Sequence, residues 1–442
     1  MQRWRALAFG AALAVAFAAL GFFNLRQPSG VGPFNNPTDF VAFYCAGAVA
    51  AGGADPYRAE PLRSCERAAF GRSRVPMVRY LVVPGPLPGY DLAFFGAFAR
   101  LVPFRLACVL WAGLLAAGVG LTVWALTAVT GLRPAIVFAA LAGGDLYASL
   151  VPGQLVPLVV CALALCGYFL ARGAPRRAAL CACATLAEPH LGLPIALALF
   201  LWEPAARLTI AGGAAALALL SLVFLGPASN AEYFARVLPA QAATEGLEFA
   251  GQYGLSATAH ALGASAAASL TLGTLSYLIM FALGVALARR AARAFASTAL
   301  LAFVPAAAAL VGGAYVHIAS MAAAVPLALV LCVRGGELRP LAFAATAALA
   351  IPWQTVITAP GFAELFPRRG YVDPAPLLAR VSGGTRLAQD AWAAWIGTIA
   401  DRDHRTPLEI ALFKLPTWGA LVALVWLVAR GVATRSVSRP AE

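Results

Sequence analysis

The chain has 442 residues, 61% of them apolar and only 12% charged, with a mean hydropathy of +0.80; a soluble domain carries about 25% charged residues. A soluble enzyme, a disordered chain and a nucleic-acid-binding domain are poor fits, and the composition points to an all-α polytopic membrane protein. The net charge is +13, but all of the 32 basic residues except Lys414 are arginines, and they fall in short clusters between apolar runs, as membrane orientation requires.

Arg3-Trp4-Arg5 precedes the apolar run 6–23, which lacks a small-x-small cleavage site near its end. It reads as a retained first helix with its N-terminus in the cytoplasm. The amphiphilic segment 24–105 carries too much charge to lie in lipid. Within it, periodicity predicts a short helix over 40–51, stopped by Gly52-Gly53, with Thr38 or Asp39 at its N-cap position. The apolar segment 88–103 is expected to lie along the bilayer as an interfacial helix, because a crossing there would invert the arginine clusters downstream.

Spans are predicted at about 106–130, 134–150, 154–171, 206–226, 268–290, 296–312, 314–333, 340–358 and 410–430. Arg133, Arg172/Arg176/Arg177, Arg207, Arg289/Arg290/Arg293, Arg334/Arg339 and Arg430/Arg435/Arg439 separate them. Placing these clusters in the cytoplasm puts the segments 24–105, 227–267 and 359–409 on the opposite face, as outward loops of one membrane domain covering 1–442. The stretch 178–202 lies between two cytoplasmic clusters and reads Glu188-Pro189-His190-Leu191-Gly192-Leu193-Pro194 at its centre. Two prolines and a glycine predict a helical hairpin or a deep kink there, for a total of about twelve transmembrane segments with both termini cytoplasmic.

Six of the eight cysteines lie in or beside predicted spans and read as packing residues. Cys45 and Cys65 share the first outward loop and can pair in an oxidising periplasm. The four histidines have no metal-ligand spacing, so no metal site is expected.

Asp39-Phe40-x-x-x-Tyr44-x-Ala46 followed by Gly53-x-Asp55-Pro56-Tyr57 resembles the first-loop signature of glycosyltransferase family 87, membrane enzymes of the GT-C type. The resemblance continues through Tyr80 to Pro88, Pro152-Gly153-Gln154, Glu188-Pro189-His190 and Tyr315-x-His317. Glu188 departs from the pattern: many members have a lysine there. The resemblance implies a GT-C-type bundle with juxtamembrane helices in its first outward loop. It also implies inverting transfer of a hexose, mannose above all, from a polyprenyl-phosphate donor to a lipid or glycan acceptor.

Such a reaction needs a carboxylate to take the acceptor's proton and positive groups to receive the departing phosphate. Asp39 carries the base role in the family pattern, and a nearby helix N-terminus favours its ionised form. The candidate substrate-binding residues are Tyr44, Tyr57, Arg79, Tyr80, Gln154, Glu188, His190, Gln252, His317 and Arg402. A boundary histidine such as His317 is costly unless used, whereas Glu188 and His190 can also simply pair with one another. The last loop, with Phe366 to Tyr371 and Asp401 to Arg405, reads as a lid or acceptor surface. No cofactor is expected beyond the lipid-linked donor itself, and the expected location is a bacterial inner membrane with the active site facing the periplasm. The competing class is a transporter or lipid flippase, although the sequence shows no internal repeat of the kind such folds carry.

Overall fold

The computed structural model describes residues 38–70, 82–142, 145–150, 152–248, 251–351, 353, 386–393 and 406–437. Among them the regular structure is helical, and the extended pairing is confined to isolated bridges.

The first outward segment folds as α1 (Thr38–Ala51), α2 (Ala59–Phe70) and α3 (Gly89–Leu101). The expected helix over 40–51 is present, and the interfacial segment forms a helix that packs along α1. That packing is close enough to need glycine: a Cβ on Gly47 would lie 2.5 Å from the Gly96 nitrogen. Cys45 and Cys65 form a disulfide that ties α1 to α2.

Next come α4 (Phe104–Thr130), α5 (Pro134–Ala142), α6 (Asp145–Leu150), α7 (Val156–Ala171), α8 (Pro175–Ala184) and α9 (Pro189–Trp202). The expected span over 134–150 is helical over Pro134–Ala142 and Asp145–Leu150, and Gly143-Gly144 between them lie outside the described residues. The stretch 178–202 breaks where its sequence predicts. A 3₁₀ turn over Thr185–Ala187 ends the first helix, and Pro189 opens the second after the non-helical Glu188. Gly192 and Pro194 remain inside α9, so the break lies over 185–188, ahead of them.

Helix α10 (Arg207–Glu232) bends at Gly226-Pro227, where Gly226 has φ +76°. Pro227 supplies no N–H to the helical ladder. The Asn230 amide instead donates to the carbonyls of Ser221 (3.0 Å) and Gly226 (2.7 Å), closing the bend from inside. The chain continues through a π turn into α11 (Leu238–Thr244), then α12 (Leu255–Ala261), α13 (Ala266–Ala294) and α14 (Leu300–Gly312). All thirteen residues of α14 are buried. It is apolar all round, as a core helix should be, and it packs against α7, α9 and α13.

The expected span 314–333 starts late. Residues 313–317 are not helical: 314 and 315 bend, and beyond them Tyr253 donates to the Val316 carbonyl (2.7 Å) and Ile318 to the Gly251 carbonyl (2.9 Å). A 3₁₀ segment over Ile318–Ala324 then leads into α15 (Val325–Arg334), followed by α16 (Arg339–Ala350) and α17 (Pro407–Val437).

Four of the described helical stretches are long and apolar enough to cross a membrane: Phe104–Thr130, the bent Pro204–Leu247, Ala266–Ala294 and Pro407–Thr434. A crossing needs about 20 residues, and shorter apolar helices accompany these four. Large apolar side chains such as Leu208, Leu219 and Val223 on α10 and Leu278 and Ile279 on α13 remain exposed. A water-facing surface rarely carries so extended an apolar patch. The helical membrane architecture expected from composition is therefore present.

Candidate active site

A cavity of about 800 Å³ opens between α1, the segment 82–88, the Glu188 break, α10 and the non-helical segment ending at His317. Asp39 is held in it from below. The N–H groups of Asp39 and Phe40 both donate to the Pro152 carbonyl at 3.0 Å, so a loop carbonyl satisfies the first donors of α1. The Asp39 carboxylate is left to face the cavity instead of serving as the helix cap.

Phe40 anchors the adjoining position: it is fully buried and stacks on Trp111 at 5.3 Å between ring centroids. Trp111 in turn donates to the Gly153 carbonyl (2.9 Å). Gly153 has φ +80°, and a Cβ there would approach the Phe40 Cβ to 2.7 Å, so only glycine allows this loop to meet α1.

The next residue, Gln154, donates its side-chain amide to Asp39 Oδ2, while the Thr38 hydroxyl donates to Oδ1 at 3.2 Å. Two motifs separated by 115 residues are thereby brought into one contact. Enclosure inside the cavity and the neighbouring Glu245 carboxylate push the Asp39 carboxyl up to about 7, against the pull of the Thr38 and Gln154 hydrogen bonds. A carboxylate in that range is well matched to accepting a proton at neutral pH.

The rest of the polar end comes from elements distant in sequence. Glu188 and His190 line the cavity and face each other, with Glu188 Oε2 3.5 Å from His190 Nδ1. The pairing considered from sequence is therefore present, and His190 Nε2 has no hydrogen-bond partner among the described residues. His317 also lines the cavity, with its backbone bridged to Gln252. Tyr315 donates its hydroxyl to Glu245 Oε2 (2.7 Å) and sets its ring edge-on to His190 at 6.1 Å. Among the described residues, no group of three His, Cys, Asp or Glu side chains has metal-binding geometry.

The other end is apolar. Leu193 of α9, Ala214, Leu217, Ala218 and Leu222 of α10, and Phe234 and Leu238 beyond the bend line it. Several of these, including Leu193, Leu222 and Phe234, are among the exposed large apolar side chains. One cavity thus joins a titratable end to a greasy wall. No family model, curated protein or solved structure matches this chain.

The sequence-derived set divides three ways. Asp39, Gln154, Glu188, His190 and His317 converge on the cavity. Tyr44, Tyr57 and Gln252 do not line it. The Tyr44 hydroxyl is spent on the Val102 carbonyl and that of Tyr57 on the Leu87 carbonyl, both at 2.9 Å, and Gln252 is fully buried behind His317. Arg79, Tyr80 and Arg402 lie outside the described residues, as do the first helix over 6–23 and the charged runs of the last loop.

Sequence reasoning missed Glu245, Tyr90, Tyr233, Gln241 and Trp392, which also line the cavity. Of these, Glu245 carried a usable signal, as an acid in an otherwise mostly apolar middle loop. Lys414 carried another: the sole lysine, inside an apolar helix, it is buried with its ammonium 4.1 Å from the Tyr253 ring centre.

Proposed function

We propose that this protein is a membrane glycosyltransferase that moves a hexose from a polyprenyl-phosphate donor to a lipid or glycan acceptor, with inversion. The observation that carries the reading is the position of Asp39: a carboxylate poised near neutrality, at the polar end of a cavity whose other wall is apolar. A lipid-linked sugar has that same division between reacting head and greasy tail.

In this reading the prenyl chain lies along the wall formed by Leu193, Leu217, Leu222 and Phe234, and the sugar sits beside Asp39. The acceptor oxygen attacks the anomeric carbon, its proton passes to Asp39, and the bond to the phosphate oxygen breaks with its electron pair on the phosphate. The departing charge needs positive or hydrogen-bonding groups nearby, and His317 and His190 stand on the wall to meet it. Mannose as the sugar, the GT-C bundle of about twelve spans, cytoplasmic termini and a periplasmic active site in a bacterial inner membrane belong to the same proposal. They rest on the first-loop resemblance and on the arginine pattern.

A lipid flippase is the second reading. One feature favours it: two interrupted helices, at Glu188 and at Gly226-Pro227, border the same cavity. Transfer of radiolabelled sugar from a polyprenyl-phosphate donor, compared between wild type and Asp39→Asn, separates the two. The transferase reading expects a loss of about a hundredfold to ten-thousandfold in the variant. Lipid movement across a bilayer with no sugar transfer from any donor supports the flippase.

A further inference from the structure

The cavity takes one wall residue from the last outward loop. Residues 386–393 lie against the first outward segment: Ala59 donates to the Arg386 carbonyl (3.0 Å), Ala388 donates to the Tyr57 carbonyl (2.8 Å), and Arg58 and Leu387 form an antiparallel bridge. Residues 388–393 then turn helical and bring Trp392 to the cavity.

The strip that receives them is itself held. Tyr57 is buried and stacks on Tyr233 at 5.7 Å between ring centroids, and Arg58 pairs with Glu232 at 2.6 Å. The Cys45–Cys65 disulfide joins the helices on either side of the strip. Trp392 is fixed at its other edge too, because its indole nitrogen is sealed from solvent beside the Glu245 carboxylate. The residue as a whole is only half-buried, so what it presents to the cavity is carbon surface and not the N–H. A side chain held in this way loses little freedom when a ligand arrives.

The wall that suits a prenyl chain lies elsewhere, on Leu193 of α9 and Leu217 and Leu222 of α10. A large aromatic surface that shares its cavity with Asp39, Gln154 and Glu245 suits another shape: a ring with hydroxyls around its edge and only C–H on its faces. A pyranose is such a ring. One face buries apolar area on the indole while the edge hydroxyls reach amide and carboxylate.

We infer that Trp392 is the platform on which a pyranose ring stacks in this cavity, so that the last outward loop supplies a specificity-determining residue. The inference deepens the glycosyl-transfer reading and rests on it for that ring being a substrate's; the sugar seat itself does not.

The test is titration of the full chain in lipid nanodiscs with methyl α-mannopyranoside, followed by saturation-transfer NMR and by tryptophan emission. Wild type should transfer saturation to the ring C–H protons of the probe and change its emission as the probe binds. Trp392→Phe keeps an aromatic face and loses the N–H, whereas Trp392→Leu keeps apolar bulk and loses the face. The Phe variant should bind within about twofold of wild type without the emission change, and the Leu variant about threefold to tenfold more weakly. Equal losses in both would assign the residue to its contact with Glu245 and overturn the platform. Unchanged binding by the Leu variant would overturn it as well, and so would a wild type that shows no saturation transfer, a result that needs no variant to fold.

Bare polyprenyl phosphate should leave the probe bound, and displacement by it would overturn the seat. Polyprenyl-phosphate mannose displaces the probe if Trp392 holds the donor's sugar and leaves it bound if Trp392 holds the acceptor's; either result supports the platform and fixes the source. None of these binding measurements needs turnover. A protein that seats the probe on Trp392 yet transfers no sugar keeps the platform and loses the transferase reading, and one that transfers sugar but binds the probe equally well without Trp392 loses the platform alone.

Discussion

Two aspartates of the same outward segment have opposite fates. Asp55 is consumed by local structure: it accepts from the Tyr57 N–H at 2.9 Å and pairs with Arg58 at 2.8 Å, and Arg58 reaches on to Glu232 at 2.6 Å. That chain of contacts clamps the first segment to the end of α10. Among the described residues no cation pairs with Asp39. It receives a hydroxyl and an amide hydrogen, faces a cavity, and sits near another carboxylate, Glu245. An acid whose oxygens are spent on a guanidinium and a backbone N–H is a structural clamp, whereas an acid kept half-neutral by its surroundings can take a proton during a reaction. The contrast, more than the motif containing both residues, singles out Asp39.

The sharpest way to break this comparison is to remove both charges separately. Asp39→Asn should cost sugar transfer about a hundredfold to ten-thousandfold with the fold intact. Asp55→Asn should leave the chemical step nearly unchanged and cost about 1 kcal/mol or less of stability, since its partner is partly exposed. Single-turnover transfer and thermal unfolding of both variants decide it; similar kinetic losses would erase the distinction.

Next in size is the Cys45–Cys65 disulfide, which fixes the two helices that bracket the Asp55 clamp. Replacing both cysteines with serine should cost about 2–4 kcal/mol. Unfolding in the presence and absence of reductant checks it, because reductant should destabilise only the wild type.

Gln154→Leu removes the amide that stabilises ionised Asp39. The rate at neutral pH should fall about tenfold, and the ascending limb of the pH–rate profile should move to higher pH. Glu245→Gln acts in the opposite direction and more gently. Deleting that charge removes one of the causes raising Asp39, so the limb should move to lower pH. A Glu245→Gln limb at unchanged pH would show that the two carboxylates do not communicate.

The sequence was most informative where a local signal had a local consequence. Pro189 following Glu188 announced the break between α8 and α9, and Gly52-Gly53 announced the end of α1. Arginine clusters and apolar runs gave the helical membrane class. The motif at Pro152-Gly153-Gln154 marked a site residue, but the reason for it, a left-handed glycine seated against Phe40, is visible only in three dimensions.

Tyr44 and Tyr57 misled because a tyrosine's sequence position does not say where its hydroxyl goes, and both are spent on backbone carbonyls. Glu245 and Tyr315 were missed as a pair because 70 residues separate them. The non-helical turn before Ile318 was hidden by its apolar neighbours, since hydropathy cannot register that Val316 and Ile318 pair with 251–253.

The central claim is that Asp39 takes the acceptor proton, and the pH dependence of single-turnover transfer at saturating donor tests it most directly. The raised carboxyl must be ionised to act as a base, so the rate should rise as pH increases through about 7 and level off above it. Asp39→Asn should lose both the rate and the limb. A wild-type rate that is flat across this range, or a limb that persists in Asp39→Asn, would contradict the assignment.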